Sequence, residues 1–216
     1  MLELIAVNKS FNGTQVLNIP HRSLSQGLYW LQGTNGSGKS TLLKILSGLL
    51  PFSGDIRMNN TISLQKQPVA FRKQINYAPA EPQFPPFISG QELVNFTRSV
   101  KEGDEAQIRL IRDILQIGDF IHNPTGSYSS GMLKKLSLLL AFIGKPQWIL
   151  LDEPFTTLDH ASQQALEQLI VNTYQQKNIA FILTSHHDIE ASHIAFTNVF
   201  RIINQELTVV NDSHAH

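Results

Sequence analysis

Gly33-Thr34-Asn35-Gly36-Ser37-Gly38-Lys39-Ser40 fits the spacing G-x-x-x-x-G-K-[ST] at every fixed position. The chemistry open to these residue types in this order is the binding of a nucleotide's phosphates. Glycines let the backbone wrap close to an anion, and its N–H groups act together with the positive end of a following helix. Lys39 is placed to reach the β- and γ-phosphates, and the Ser40 hydroxyl to ligate Mg²⁺. The expected cofactor-binding run is therefore Gly33, Thr34, Asn35, Gly36, Ser37, Gly38, Lys39, Ser40 and Thr41. Kinases, GTPases, helicases and transport ATPases all carry such a loop, so it sets the ligand class without choosing the reaction.

A second group of chemical interest is Asp152-Glu153, which follows the apolar run Trp148-Ile149-Leu150-Leu151. Alone, Asp-Glu-Pro reads as an acid pair at a helix N-terminus. Downstream of a phosphate loop the same residues take other roles. Asp152 is a metal-holding acid beside Ser40, and Glu153 is a carboxylate able to orient or deprotonate a water attacking the γ-phosphate. The eight histidines show no ligand spacing, and the chain has no cysteine, which excludes disulfides and thiolate metal sites.

The elements that must position these groups follow from periodicity. Residues 26–33 read as a short apolar strand and 41–46 as a helix, which puts the phosphate loop between strand and helix. Strands over 2–7 and 15–19, broken at Asn12-Gly13, predict an opening hairpin. Phe11 stands beside that turn, where position alone favours a buried strand residue. Short strands are expected at 55–57, 61–64 and 75–78. Four prolines in the eight positions 79–86 then forbid regular structure. Helices are expected over 89–100, 104–116 and 130–144, so residues 83–146 form a helical insert within an α/β core made of 1–82 and 147–216. The continuous apolar strand ending in Asp152 reads as central and parallel, with its acids facing the ligand crevice. A helix over 160–176, a strand at 179–184, a helix near 187–193, strands at 197–203 and 206–210 and a polar tail from 211 complete the chain.

Composition narrows the class. Seventeen basic residues balance seventeen acidic ones in 216 residues, so no nucleic-acid partner is expected. The most apolar runs, 136–143 and 179–183, fall far short of the roughly 20 residues that cross a bilayer. The N-terminus, Met1-Leu2-Glu3-Leu4, lacks the pattern of a secretion signal, and a cytoplasmic location is expected.

With these residues in order, the chain resembles the ATP-binding subunit of an ATP-binding-cassette transporter over essentially its whole length. Tyr128-Ser129-Ser130-Gly131-Met132 is similar to the family signature Leu-Ser-Gly-Gly-Gln, with Ser129 and Gly131 kept. The resemblance implies a P-loop NTPase core of mixed sheet and helices, with an N-terminal antiparallel β subdomain and an inserted helical subdomain. It implies ATP and Mg²⁺ as ligands, a second cassette subunit as partner in a homodimer, and membrane permease subunits that hold the protein at the inner face of the membrane. Ser129 and Gly131 are then expected to contact the partner's ATP, and Asp159 in Thr156-Thr157-Leu158-Asp159 to line the dimer interface. Phe11 takes the position whose ring stacks on adenine, and His186 that of the switch histidine contacting the γ-phosphate, with His187 as the alternative.

The chain departs from the family at Tyr128, Ser130 and Met132, and more consequentially at Tyr77-Ala78-Pro79-Ala80, where the family has a glutamine in place of Ala80. A methyl group can neither ligate Mg²⁺ nor hold a water, while Glu81 and Gln83 stand near enough in sequence to substitute. Two other readings stay open beside a transport ATPase: a cassette ATPase that powers no transporter, and a nucleotide-gated regulatory subunit that scarcely hydrolyses ATP.

Overall fold

The computed structural model describes residues 1–185 and 194–210. His186, His187, the expected helix near 187–193 and the tail from 211 lie outside the described residues. The chain opens with a hairpin of β1 (Leu2–Phe11) and β2 (Thr14–Leu24), and its turn residues Asn12 and Gly13 both take positive φ, as a two-residue connection requires. Along β1 the buried set shifts from Leu2 and Leu4 to Val7, because the register slips around Ala6, whose φ is 50°. The partner strand β4 (Ser53–Met58) accommodates this bulge only through Gly54, where any Cβ would collide with the Ile5 and Ala6 carbonyl oxygens. With the short β5 (Ile62–Ser63) these strands make a four-stranded antiparallel sheet in the order β2-β1-β4-β5.

A second, six-stranded sheet holds the centre. Its strands are β3 (Leu28–Gln32), β6 (Ile75–Ala78), β7 (Trp148–Leu151), β8 (Ala180–Ser185), β9 (Asn198–Ile203) and β10 (Glu206–Val209). The order is β10-β9-β3-β8-β7-β6, and every pairing is parallel except that of the edge strand β10 with β9. Every residue of β7 is buried, which accounts for its unbroken apolar run.

Two apolar layers flank this sheet. On one side, the antiparallel sheet and α1 (Lys39–Leu46) pack Leu4, Ile19, Leu43 and Ile56 against Tyr29, Trp148 and Phe200. On the other, α3 (Gly90–Lys101), α4 (Glu105–Ile114), α5 (Ser130–Phe142) and α6 (His160–Lys177) pack against Ile149, Leu151, Phe181 and Leu183. Ser89 and Asp104 cap α3 and α4, accepting hydrogen bonds from the Glu92 and Gln107 amides. The α/β architecture expected from the sequence is thus present, with two local differences. The strand expected at 61–64 shortens to two residues, and a six-residue helix, α2 (Pro68–Lys73), occupies a stretch assigned no element. That helix starts on a proline and buries only Phe71, too little for a periodic pattern to register.

Candidate nucleotide site at the carboxyl edge of the parallel sheet

The phosphate loop joins β3 to α1. Gly38 is the N-cap of α1 with φ 101°, and a Cβ there would come within 3.2 Å of Val16 on the opening hairpin. Gly36, at φ 79°, faces open space. No side chain caps α1 and its first turn carries no acid, so its positive end is left for an anion. The Lys39 ammonium donates to the carbonyls of Gly33 (2.5 Å) and Thr34 (2.9 Å), and the Ser37 hydroxyl is buried without a hydrogen-bond partner. Burial lowers the Lys39 pKa, against the opposing pull of Glu153 and Asp152. An open pocket of about 570 Å³ lies against the loop from Gln32 to Ser37 and is lined also by Arg201, Ile202 and Ile203.

Asp152 follows β7 on the same edge and is 2% exposed. Its carboxylate accepts hydrogen bonds from the Thr184 hydroxyl (2.7 Å) and the Tyr77 hydroxyl (3.2 Å). Burial and the Asp152 charge push the Tyr77 hydroxyl far above the usual tyrosine pKa, so it stays a donor at any working pH. Thr184 also accepts from the Glu153 amide at 2.9 Å, and Glu153 itself sits at φ 47°, a conformation disfavoured for a residue with a Cβ. The pairing of Leu151 with Leu183 is what sets Thr184 beside Asp152. In the sequence Thr184 and Tyr77 stand out only as neighbours of other motif residues. A polar residue ending the apolar strand 179–183 is the signal for Thr184.

Lys134, a residue to which the sequence reading assigns no role, completes this edge. It projects from α5, is 1% exposed, and donates to the carbonyls of Ala80 (2.6 Å), Pro79 (3.2 Å) and Asp152 (3.4 Å). Burial pulls its pKa down to about 8, opposed by Asp152, Glu153 and Glu81. Ala80 therefore meets Lys134 through its main-chain carbonyl.

Ser129, Gly131 and Asp159 make a second group. Ser129 caps α5, accepting from the Met132 amide at 3.3 Å, while the Met132 sulfur accepts from the Ser129 amide at 3.4 Å. A thioether thus does the return half of a capping box that a Glu or Gln side chain ordinarily supplies. A Cβ on Gly131 would stand 3.0 Å from the Thr157 carbonyl, so the signature turn lies against the 156–159 loop. Asp159 caps α6 through the Ser162 amide and hydroxyl, both at 2.8 Å, and the amide bond is the chief cause of its lowered pKa. Lys135 stands 3.8 Å from it. Phe11 is 44% exposed at the hairpin tip, with the Lys9 ammonium 4.7 Å from its ring centre, so its ring is not spent on the core.

A phosphate loop between β3 and α1, with a buried acid at the end of a neighbouring parallel strand and a capped signature helix, defines a P-loop nucleotide-binding cassette. Comparison with known proteins gives the family. A family model described as ABC transporter matches residues 21–156, and this chain belongs to that family. A second model, described as an AAA domain, putative AbiEii toxin, type IV TA system, matches residues 122–192. The Fe(3+) ions import ATP-binding protein FbpC 2 of Pectobacterium atrosepticum is 30% identical over 202 residues, covering 90% of this chain and 58% of that protein. The aliphatic sulfonates import ATP-binding protein SsuB 1 of Pseudomonas aeruginosa is 30% identical over 198 residues, covering 90% of this chain and 79% of its own length. Among solved structures, the dimeric post-hydrolysis state of the ATP-binding cassette MJ0796 bound to ADP and Pi shares the fold, with a TM-score of 0.80 and 20% identity over 96% of both chains. The expected family and fold class are both borne out.

Proposed function

We propose that this chain binds MgATP, pairs with a second cassette, hydrolyses ATP and powers a separate membrane permease. The observation that carries this reading is the meeting of Lys39, Asp152 and Glu153 at one sheet edge, where Lys39 feels the charge of both acids. Lys39 and the amides of the loop and of α1 would hold the phosphates. Ser40 and Asp152 would hold Mg²⁺, and the two hydroxyl donors on Asp152 keep that carboxylate oriented for it. The metal would supply charge neutralisation on the phosphates. Glu153 would accept the proton of the attacking water, its place fixed by the Thr184 bond to its amide. Phe11 would stack on adenine, and His186 or His187 would contact the γ-phosphate.

Pairing is supported by the solvent-exposed Ser129 at the start of α5 and by the dimeric cassette that shares the fold. Docking on a permease is supported by the apolar side chains that the helical insert of residues 83–146 leaves in solvent, with Phe87 80% and Phe96 68% exposed. The two import proteins named above are ATP-binding subunits, and no described helix here is long and apolar enough to cross a membrane. A peripheral place on the cytoplasmic membrane face follows from that reading.

The test is Glu153→Gln. This variant should keep ATP affinity, lose at least about 100-fold in hydrolysis, and accumulate as a dimer when sized with MgATP. Turnover at the wild-type rate would show that Glu153 has been given the wrong role.

A further inference from the structure

Lys134 is the one lysine among the described residues whose ammonium meets three backbone carbonyls from two other segments of the site. Two of them, Pro79 and Ala80, belong to the turn after β6 that leads into the helical insert. The third, Asp152, belongs to the turn after β7 that carries Glu153. The lysine itself rides on α5, one and a half turns from the Ser129 cap. Its burial is costly, because an ammonium removed from water must recover its hydration from the groups around it, and a methionine of similar length would carry no such penalty. The rest of α5 is mostly apolar in its buried part, with Leu136, Leu138 and Leu139 fully buried hydrocarbons and Ser137 the other buried polar residue.

We propose that Lys134 is a positioning residue for ATP hydrolysis, holding the Ala80 turn and the Asp152–Glu153 turn in fixed register with the signature helix α5. Its bonds go to main-chain oxygens, so it locates both turns whatever side chain stands at position 80. That property suits a chain in which position 80 is an alanine. The ammonium also places a positive charge near Asp152, Glu153 and Glu81. Because α5 is a rigid helix, any movement of Ser129 on meeting a second subunit is carried to these turns through the same side chain.

The proposal rests on the hydrolytic reading above, and the experiment separates the two. Steady-state hydrolysis of MgATP by the purified full chain is measured for wild type, Glu153→Gln, Lys134→Met and Lys134→Arg, with the thermal midpoint of each. Lys134→Met should fold, keep KM for MgATP within about twofold, and lose about tenfold or more in kcat. Lys134→Arg, which keeps the charge and the donors, should recover kcat to within about threefold of wild type. Should the methionine variant fail to fold, Lys134→Gln replaces it, with the same KM and a kcat between those of the arginine variant and Glu153→Gln. A folded Lys134→Met with wild-type kcat overturns the role of Lys134 alone, as does a folded Lys134→Arg no faster than Lys134→Met. A rise in KM matching the fall in kcat/KM also overturns it, since that is the mark of lost binding. Absence of hydrolysis in the wild type overturns the hydrolytic reading itself.

Discussion

Lys134 bonds to the Ala80 carbonyl, and the Ala80 side chain is a methyl group with no polar atom to offer. Mg²⁺ takes six oxygens, so on the proposed reading a position that gives none would leave the metal to Ser40, Asp152, the phosphates and water. Water fills the place at small cost to binding, but it cannot hold a fixed geometry as a tethered amide does. Ala80→Gln should therefore raise turnover by a few-fold, or sharpen its Mg²⁺ dependence, with nucleotide affinity little changed. Hydrolysis assayed across a Mg²⁺ titration checks this. If both stay as in wild type while Glu81→Ala or Gln83→Ala abolishes activity, one of those neighbours has the role. Met132 shows the opposite outcome at this scale, because its sulfur replaces a lost amide group in the capping box, and the helix start survives the substitution.

At the scale of elements, lysines tie the helical insert to the core. Lys101, the last residue of α3, donates to the carbonyl of Arg72 in α2 and to that of Ile75 in β6. Burial lowers its pKa from the usual 10.5 to about 8. The sign of the pH effect follows from proton counting. Between about pH 8 and 10.5 the unfolded chain holds a proton on this lysine that the folded chain has released, so stability rises with pH through that window. Below pH 8 both states are charged and the full cost of burial is present. The thermal midpoint should therefore climb by several degrees per lysine of this kind between about pH 7.5 and 10, before other groups intervene. Lys134 shares the shift, so Lys101→Met should flatten part of the rise and leave part. A pH series of melting curves on wild type and variant decides it, and parallel profiles would refute the assignment.

At the scale of the whole molecule, the phosphate loop stands where the antiparallel sheet meets the parallel one. A Cβ on Gly38 would stand 3.2–3.6 Å from Val16 and Leu17 of the antiparallel sheet and Ile202 of β9. A ligand held there is bound by the folded chain and not by the unfolded one, so its affinity adds to the stability of the whole fold. MgATP at about 100 times its dissociation constant contributes about 2.7 kcal/mol, which for a chain of this length raises the melting midpoint by roughly 5–10 °C. Lys39→Ala removes the cationic side chain of the loop and should abolish that shift together with hydrolysis. An equal shift in both proteins would refute phosphate binding by Lys39.

The sequence by itself determined the features whose physics is local. Glycine spacing and a lysine announce the phosphate loop, because backbone reach and charge are set within eight residues. An unbroken apolar run announces β7, because a strand covered on both faces has no polar side. Asn12-Gly13 announces the hairpin, because few residue pairs take positive φ twice. Tertiary structure alone decided which polar groups surround the acids. Tyr77 and Thr184 lie 75 and 32 residues from Asp152, and Lys134 lies 55 from Pro79. A lysine on an apolar helix looks in sequence like a solvated or snorkelling side chain. Only the packing of α5 beneath the ends of β6 and β7 encloses its ammonium among carbonyls. The bulge at Ala6 and the short helix α2 were hidden for the same reason: each is stabilised by neighbours distant in the chain, Gly54 in one case and the Lys101 cap in the other.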